Sequence, residues 1–115
     1  MLIKEFDSLE EIQKYYNKKT DTYVFKEDNE YIDLVIFNFD LSIDANIEAR
    51  DINAWDIDCF NIKACDIKAR NIKANNISYH AVCVAYRSIK CKSIKGRREY
   101  SKHLVLGGNL EVEEK

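Results

Sequence analysis

A motif of five residues repeats along the middle of the chain. Asp or Asn precedes each Ile, and a small residue follows that Ile two positions later. The two columns are Ile47, Ile52, Ile57, Ile62, Ile67, Ile72 and Ile77, and Ala49, Ala54, Cys59, Ala64, Ala69 and Ala74. Residues two apart on an extended chain point to the same side, so both columns face inward. Asp and Asn favour turns, so the polar residues between blocks turn a corner. The repeat therefore predicts a chain that bends every five residues.

A chain that bends at this interval can wind into a solenoid, in which each coil stacks on the last and pairs with its backbone. If each coil has four sides, residues twenty apart become neighbours. Ile52 then stacks on Ile72, Arg50 lies beside Arg70, and Val82 continues the Ile column. The predicted fold is mainly β: a short quadrilateral β-solenoid with an N-terminal helix and a β-hairpin as its cap.

The repeated blocks resemble those of pentapeptide-repeat proteins, in which Asp or Asn stands immediately before a central Leu or Phe. The resemblance covers residues 47–86 and implies a quadrilateral β-helix. Here Ile replaces Leu or Phe, and the small residue stands two places after the central residue instead of two places before it. The matching pairs are Asp51-Ile52, Asp56-Ile57, Asn61-Ile62, Asp66-Ile67, Asn71-Ile72 and Asn76-Ile77.

The N-terminal segment has the pattern of a helix followed by a hairpin. Ser8 and Glu11 have the spacing of a capping box at a helix start. The residues expected on one face of that helix are Leu9, Ile12 and Tyr16. Two alternating apolar runs then flank a polar turn at residues 27–29, which predicts two β-strands.

These patterns divide one domain of 115 residues into three parts. We expect residues 1–45 to cap one end of a pentad solenoid that spans residues 46–96. Short strands within residues 97–115 are expected to cap the other end, or to pair with a second copy, because open solenoid ends expose unpaired backbone. A two-residue insertion is expected near Tyr86 and Arg87, where the five-residue spacing breaks.

Motifs for catalysis or metal binding are absent from the sequence. It has no Gly-rich phosphate loop, nucleophile elbow or zinc-binding helix motif. His80 and His103 have no evident nucleophile or carboxylate partner. The cysteines lack the short spacing of a zinc knuckle, and Asp alternates with Asn at the corners, which fits turn formation better than a cation site. We therefore expect no enzymatic activity, no cofactor and no bound metal.

The sequence also lacks membrane and export signals. No apolar run approaches the roughly 18 residues of a membrane span, and the N-terminus lacks the basic-then-apolar layout of a signal peptide. We expect a cytoplasmic protein.

Two large aromatic residues follow the small residue in successive blocks. Trp55 and Phe60 occupy outward positions on the pentad scheme. Exposed aromatics on a rigid scaffold are typical anchors for a protein partner. The alternative is that both lie under the N-terminal hairpin, which has an apolar face of its own to cover.

Charge is distributed unevenly, although the net charge of the chain is only −2. Residues 86–102 carry seven basic side chains and one acidic one. The basic residues singled out as a candidate surface are Arg87, Lys90, Lys92, Lys95, Arg97 and Arg98. A nucleic-acid interface is one interpretation of such a cluster, and a solvated polar face is the other.

These observations favour a non-enzymatic protein that binds another macromolecule through Trp55, Phe60, Arg50, Arg70 and the basic segment. A small protein without catalytic motifs suits a phage or mobile-element inhibitor that docks on a host nucleic-acid enzyme, such as gyrase or a CRISPR effector. Some pentapeptide-repeat proteins mimic DNA and inhibit or shield gyrase, but their acidic surface is replaced here by mixed charge. The alternatives are a nucleic-acid-binding module and a self-assembling solenoid, with a homodimer through one solenoid end.

Overall fold

The computed structural model describes residues 1–113, so the last two residues of the expected C-terminal cap lie outside the described residues. Strands dominate this part of the chain. In order they are β1 (Ile3–Phe6), β2 (Tyr16–Asn17), β3 (Thr22–Val24), β4 (Lys26–Glu27), β5 (Glu30–Tyr31), β6 (Leu34–Phe37), β7 (Leu41–Ser42), β8 (Asn46–Glu48), β9 (Asp51–Ala54), β10 (Asp56–Asp58), β11 (Asn61–Lys73), β12 (Asn76–Cys91), β13 (Ser93–Gly96), β14 (Lys102–Val105) and β15 (Asn109–Val112).

The strands wind into a β-solenoid of about five coils, as the repeat predicts. Face A contains β3, β8, the first thirds of β11 and β12, and β13. Face B contains β1, β6, β9, the middle thirds of β11 and β12, and β14. Face C contains β7, β10, the last thirds of β11 and β12, and β15. Neighbouring coils pair in parallel, and β11 and β12 each bend across all three faces.

The coil has three sides, so the prediction of four was wrong. Ile52 pairs with Ile67, and Ile57 with Ile72, which is an interval of fifteen residues instead of twenty. The two regular coils, residues 46–59 and 61–74, each contribute three Ile side chains and three small ones to a narrow triangular bore, and all of these side chains are buried. Arg50 consequently lies beside Cys65, whose N–H donates to the Arg50 carbonyl at 2.6 Å, and not beside Arg70.

The inward columns are confirmed by burial. Every Ile and small residue of the two columns is buried. The columns change position in β12, because one residue is inserted between Tyr79 and Val82 and another between Ala85 and Ser88. Cys83, not Val82, therefore stacks on Ile67. The insertion predicted near Tyr86 and Arg87 is present, but it adds one residue there and not two.

The N-terminal helix is a 3₁₀ helix over Leu9–Tyr15, not an α-helix. Ser8 makes no side-chain cap, and the Glu11 carboxylate accepts a hydrogen bond from the N–H of Asp7 at 3.0 Å. A 3₁₀ helix has three residues per turn, so Leu9, Ile12 and Tyr15 lie on one side of it. Ile12 and Tyr15 are buried, whereas Leu9 at the first position and Tyr16 after the last are exposed. The rings of Phe6, Tyr15, Phe25 and Phe37 meet with centroids 5.1–6.1 Å apart and plug this end of the bore.

The predicted hairpin is present but short. Asp28 and Asn29 have φ of 51° and 67°, which suits the two-residue turn between the antiparallel strands β4 and β5. The flanking strands β3 and β6 do not pair with each other. They run parallel to β8 and β9, so they form the first coil of the solenoid, and the hairpin projects from it.

The last coil consists of β13, β14 and β15, each of which pairs with β12 on one side. Gly108 lets the chain pass close to the coil beneath, since a Cβ there would lie 1.7 Å from the carbonyl oxygen of Arg87. The helix of residues 9–15 is too short to cross a bilayer, which takes about 20 residues, and no other helix in the described chain could do so.

Candidate functional site

The residue that follows each small inward residue projects from an edge between two faces. Five-residue blocks and three faces place every third block on the same edge. At the edge between faces B and C, the N–H of Arg70 donates to the Trp55 carbonyl at 2.6 Å, and the N–H of Gly107 donates to the Tyr86 carbonyl at 2.9 Å. Regular backbone pairing thus fixes which side chains stack along an edge.

The B–C edge carries aromatic and arginine side chains over four successive coils. We call this surface the aromatic edge, and its residues are Trp55, Arg70, Tyr86, Arg87 and Leu106. Trp55 and Tyr86 are each 51% exposed, and Leu106 is 62% exposed. With strands about 4.8 Å apart, the edge is about 14 Å long. No other edge in the described chain places two half-exposed aromatics in one column.

Ionic contacts hold Arg70 against Trp55. The guanidinium lies 5.4 Å from the Trp55 ring centroid, a cation–π contact. Its Nη2 is 3.4 Å from Asp40 Oδ1, and its Nε is 3.5 Å from Asp56 Oδ1. The Nε is shielded from solvent and makes no hydrogen bond. The Arg70 side chain therefore connects the Trp55 ring to two carboxylates on the surface.

Trp55 and Phe60 are not covered by the N-terminal hairpin, which answers the alternative left open by the sequence. Phe60 is 41% exposed, but it lies on the C–A edge, one face away from Trp55. It lines a shallow groove of about 260 Å³, the Phe60 groove, together with Lys90 and Lys92. The two aromatics therefore belong to separate surfaces that border face C.

Arg50 and Arg97 line a cleft of about 550 Å³ between the hairpin and the A–B edge, which we call the hairpin cleft. Arg50 pairs with Asp33 at 3.1 Å. An Nη2 of Arg97 donates to the Ala64 carbonyl at 2.6 Å. Tyr31 closes one wall of the cleft. Its hydroxyl bonds to a Glu48 carboxylate at 2.5 Å, and chiefly this bond raises the pKa of Tyr31 to about 12.

The basic segment does not form one patch. Arg87 lies on the aromatic edge, Lys90 on face C, and Lys92 on the C–A edge. Lys95 lies on face A, and Arg98 follows in the connection to β14. The winding of the chain spreads these basic residues over faces C and A and the neighbouring edges, so they do not share one side of the solenoid.

The two histidines occupy different environments. His80 is exposed, whereas Nδ1 of His103 lies 2.7 Å from the hydroxyl of Tyr79. Within residues 1–113, no group of three His, Cys, Asp or Glu side chains could hold a metal ion. Cys59 and Cys83 lie in the bore, and burial is the main reason that the pKa of each thiol rises to about 12.

Tyr86 and Leu106 belong to the aromatic edge but were missed by the sequence reasoning, because the two insertions hide the repeat beyond residue 79. A signal for Tyr86 was present. Ala54-Trp55, Ala69-Arg70 and Ala85-Tyr86 share the pattern of a small inward residue followed by a large outward one. Leu106 follows the inward Val105 in the same way, but the longer last coil obscures it.

No family model, curated protein or solved structure matches this chain. The likeness to pentapeptide-repeat proteins therefore rests on the five-residue blocks themselves. The three-sided coil differs from the quadrilateral β-helix that this likeness implied.

Proposed function

We propose that this protein is a non-enzymatic binding protein whose solenoid presents the aromatic edge to a protein partner. The observation that carries the proposal is the column of half-exposed Trp55 and Tyr86 with Arg70 between them and Arg87 beside Tyr86, on a scaffold of paired strands. Tryptophan, tyrosine and arginine are the residue types that most often dominate the energy of protein interfaces.

The scaffold supports this role energetically. Ordering flexible side chains on binding costs about 0.5–1.5 kcal/mol for each one. Arg70 already contacts Asp40, Asp56 and the Trp55 ring, and these contacts reduce the ordering that a partner would have to impose on it. The backbone beneath it is bonded to the neighbouring coils. A preformed surface of this kind favours rigid docking on a partner of complementary shape over binding that requires the protein to change conformation.

We further propose that the partner is a host enzyme acting on nucleic acid, and that the protein acts in the cytoplasm as an inhibitor of phage or mobile-element origin. Supporting this are the small size of the chain and the absence of catalytic motifs from its sequence. Gyrase and CRISPR effectors are the first enzymes to assay. Membership in the pentapeptide-repeat family remains a hypothesis that rests on the shared spacing.

Nucleic-acid binding is the alternative function. The basic side chains of residues 87–98 are spread over faces C and A and the neighbouring edges, so a duplex lying along one side would meet few of them at once. Phosphate contacts make affinity fall steeply with salt. Tight binding of DNA or RNA at low salt that weakens steeply as salt is raised would favour this alternative.

The test uses three immobilised baits in parallel against cell lysate, followed by purified candidates. The baits are the wild type, the double variant Trp55→Ala with Tyr86→Ala, and Tyr100→Ala, which removes a 79% exposed aromatic outside the aromatic edge. We expect a protein retained by the wild type and by Tyr100→Ala but lost by the double variant. A fourth bait, Phe60→Ala, shows whether the interface extends across face C.

Binding of the recovered protein is then measured by calorimetry at two salt concentrations. Truncating a central aromatic is expected to weaken binding by at least 2 kcal/mol, or about thirtyfold. If all four baits retain the same proteins equally, the aromatic edge is not the binding surface. If the recovered partner is a host enzyme, its activity with and without the protein tests the inhibitor proposal separately.

A further inference from the structure

The two ends of the solenoid differ. The N-terminal end is closed by the 3₁₀ helix and a cluster of aromatic rings. At the C-terminal end, the inward positions of the last coil remain accessible: Leu110 and Val112 are exposed, and Ile94 and Val105 are only partly buried. In every earlier coil these positions are covered by the next coil.

The last coil also presents unpaired strand edges. The N–H groups of Ser93, Arg97, Leu106 and Glu113 donate to the coil beneath. Alternate residues of a strand direct their backbone groups to opposite sides. Ile94, His103, Val105, Leu110 and Val112 therefore direct theirs away from the solenoid, where no described strand pairs with them. Exposed edges of this kind pair readily with other strands.

We propose that this end binds a second copy of the chain, head to head, about a two-fold axis. The facing strands are then antiparallel. β14 pairs with β14 of the second copy, with Leu104 on the axis. β13 pairs with β15 of the second copy, and Lys95 lies opposite Glu111 of that copy.

This register satisfies three requirements at once. The residues with free backbone groups face each other, Ile94 opposite Val112 and His103 opposite Val105. Inward side chains meet inward side chains, so the two bores join into one apolar core. On the outside, Lys95 and Glu111 form two opposite-charge pairs, and the exposed Leu104 meets its own copy. A two-fold contact must be self-complementary in this way.

The first test measures the mass of the purified full chain by sedimentation over a range of concentrations. We expect a species of twice the 13.5 kDa chain mass. Leu104→Lys puts two like charges on the axis and is expected to raise the dissociation constant at least about tenfold. Ile3→Lys is the matched control, because it changes a similarly exposed residue of face B at the closed end and leaves the dimer intact.

Charge reversal tests the register. Lys95→Glu places two acids opposite each other and weakens the dimer, and adding Glu111→Lys restores it. A dimer that neither Lys95→Glu nor Leu104→Lys weakens would overturn the proposal, as would a wild type that is monomeric at every concentration. Trp55 and Tyr86 lie on earlier coils, away from the proposed contact, so Trp55→Ala with Tyr86→Ala remains dimeric.

A crosslinking variant keeps the test valid if Leu104→Lys fails to fold. In the proposed register the two Leu104 residues form a non-hydrogen-bonded antiparallel pair, with Cα atoms about 4.5 Å apart. That separation is within the range of a disulfide. Leu104→Cys treated with oxidised glutathione is expected to form a covalent dimer, whereas Ile3→Cys is not. Equal crosslinking of the two variants would overturn the head-to-head arrangement.

Discussion

The hydroxyl of Tyr79 lies 2.7 Å from Nδ1 of His103, and the two rings meet edge to face with centroids 5.8 Å apart. Tyr79 comes from face A of the fourth coil and His103 from face B of the last coil, so the contact crosses the bore between these two coils. Tyr79 stands where the coil below has Ala64, and Gly96 stacks above it. Burial is the main reason that the pKa of Tyr79 is raised. This pair fills the bore where the Ile and Ala columns end.

Tyr79→Phe removes the hydrogen bond but keeps the ring. We expect the free energy of unfolding to fall by about 1 kcal/mol. Tyr79→Ala also leaves a cavity, and we expect a loss of about 3–5 kcal/mol. Denaturant titration followed by circular dichroism measures both, with the exposed Tyr100→Phe as the control. Equal stability of Tyr79→Phe and the wild type would show that the bond contributes nothing.

Gly108→Ala is expected to destabilise the last coil, and Gly107→Ala much less. A Cβ at Gly108 would lie 1.7 Å from the carbonyl oxygen of Arg87, whereas one at Gly107 would lie 3.1 Å from that of Tyr86. The first clash requires the backbone to move, at a cost of about 2–3 kcal/mol. Hydrogen exchange of β15 is the most direct measurement. Identical exchange rates in Gly108→Ala and Gly107→Ala would contradict the close contact between Gly108 and the Arg87 carbonyl.

Asp51→Asn is expected to stabilise the protein at neutral pH. Asp51 stacks on Asp66, and burial followed by the charge of Asp66 raises the pKa of Asp51. A carboxyl group with a raised pKa binds its proton more tightly in the folded state, so it costs stability as pH rises above the unfolded pKa of about 3.9. The expected gain is about 0.5 kcal/mol at pH 7 after allowance for solvent screening.

At pH 3 we expect Asp51→Asn to be no more stable than the wild type, because Asp51 is then protonated in both the folded and the unfolded state. Asp44→Asn, at an exposed carboxyl group with no ion pair in the described structure, serves as the control. Thermal unfolding at pH 3, 5 and 7 gives the comparison. A gain that increases as pH falls would have the opposite sign and would refute the explanation.

One cysteine should react rapidly in the folded protein. The thiolate is the reactive form, and burial raises the thiol pKa of Cys59 and Cys83 to about 12. Cys65 is partly exposed, while Cys91 is buried. At pH 8 we expect a disulfide reagent to modify one thiol per chain quickly and the others only on unfolding. Cys65→Ser should abolish the fast phase. A fast phase that remains in Cys65→Ser would show that the reagent reaches a buried cysteine and therefore that the bore opens.

Much of the fold was predictable from the pattern of residues. The alternation of Ile and Ala with polar residues identified the inward columns, because an extended chain points alternate side chains to opposite sides. The hairpin turn at Asp28 and Asn29 was also predictable, because it depends only on residues adjacent in sequence. The type of the N-terminal helix was not predictable, because it depends on tertiary packing. The aromatic cluster at this end of the solenoid requires Ile12 and Tyr15, which are three residues apart, to be buried together.

The candidate site was only partly predictable. Trp55 and Arg70 were recognised as outward residues, but Tyr86 was assigned to an insertion. The basic segment was treated as one exposed region, although it follows the chain around the solenoid. Adjacency in sequence does not give adjacency on a coiled surface, where residues one full coil apart are the closer neighbours.

The sequence by itself determined that the chain bends every five residues, which side chains point inward, and that Trp55, Phe60 and Arg70 point outward. It did not determine how sharply the chain bends at each corner. Only the tertiary structure decides that, because the number of sides is set by the backbone pairing between coils, in which Ile52 pairs with Ile67 and Ile57 with Ile72. The resulting fifteen-residue coil places Arg70 directly above Trp55, and with the inserted residue it brings Tyr86 to the same edge. A four-sided coil would have separated them.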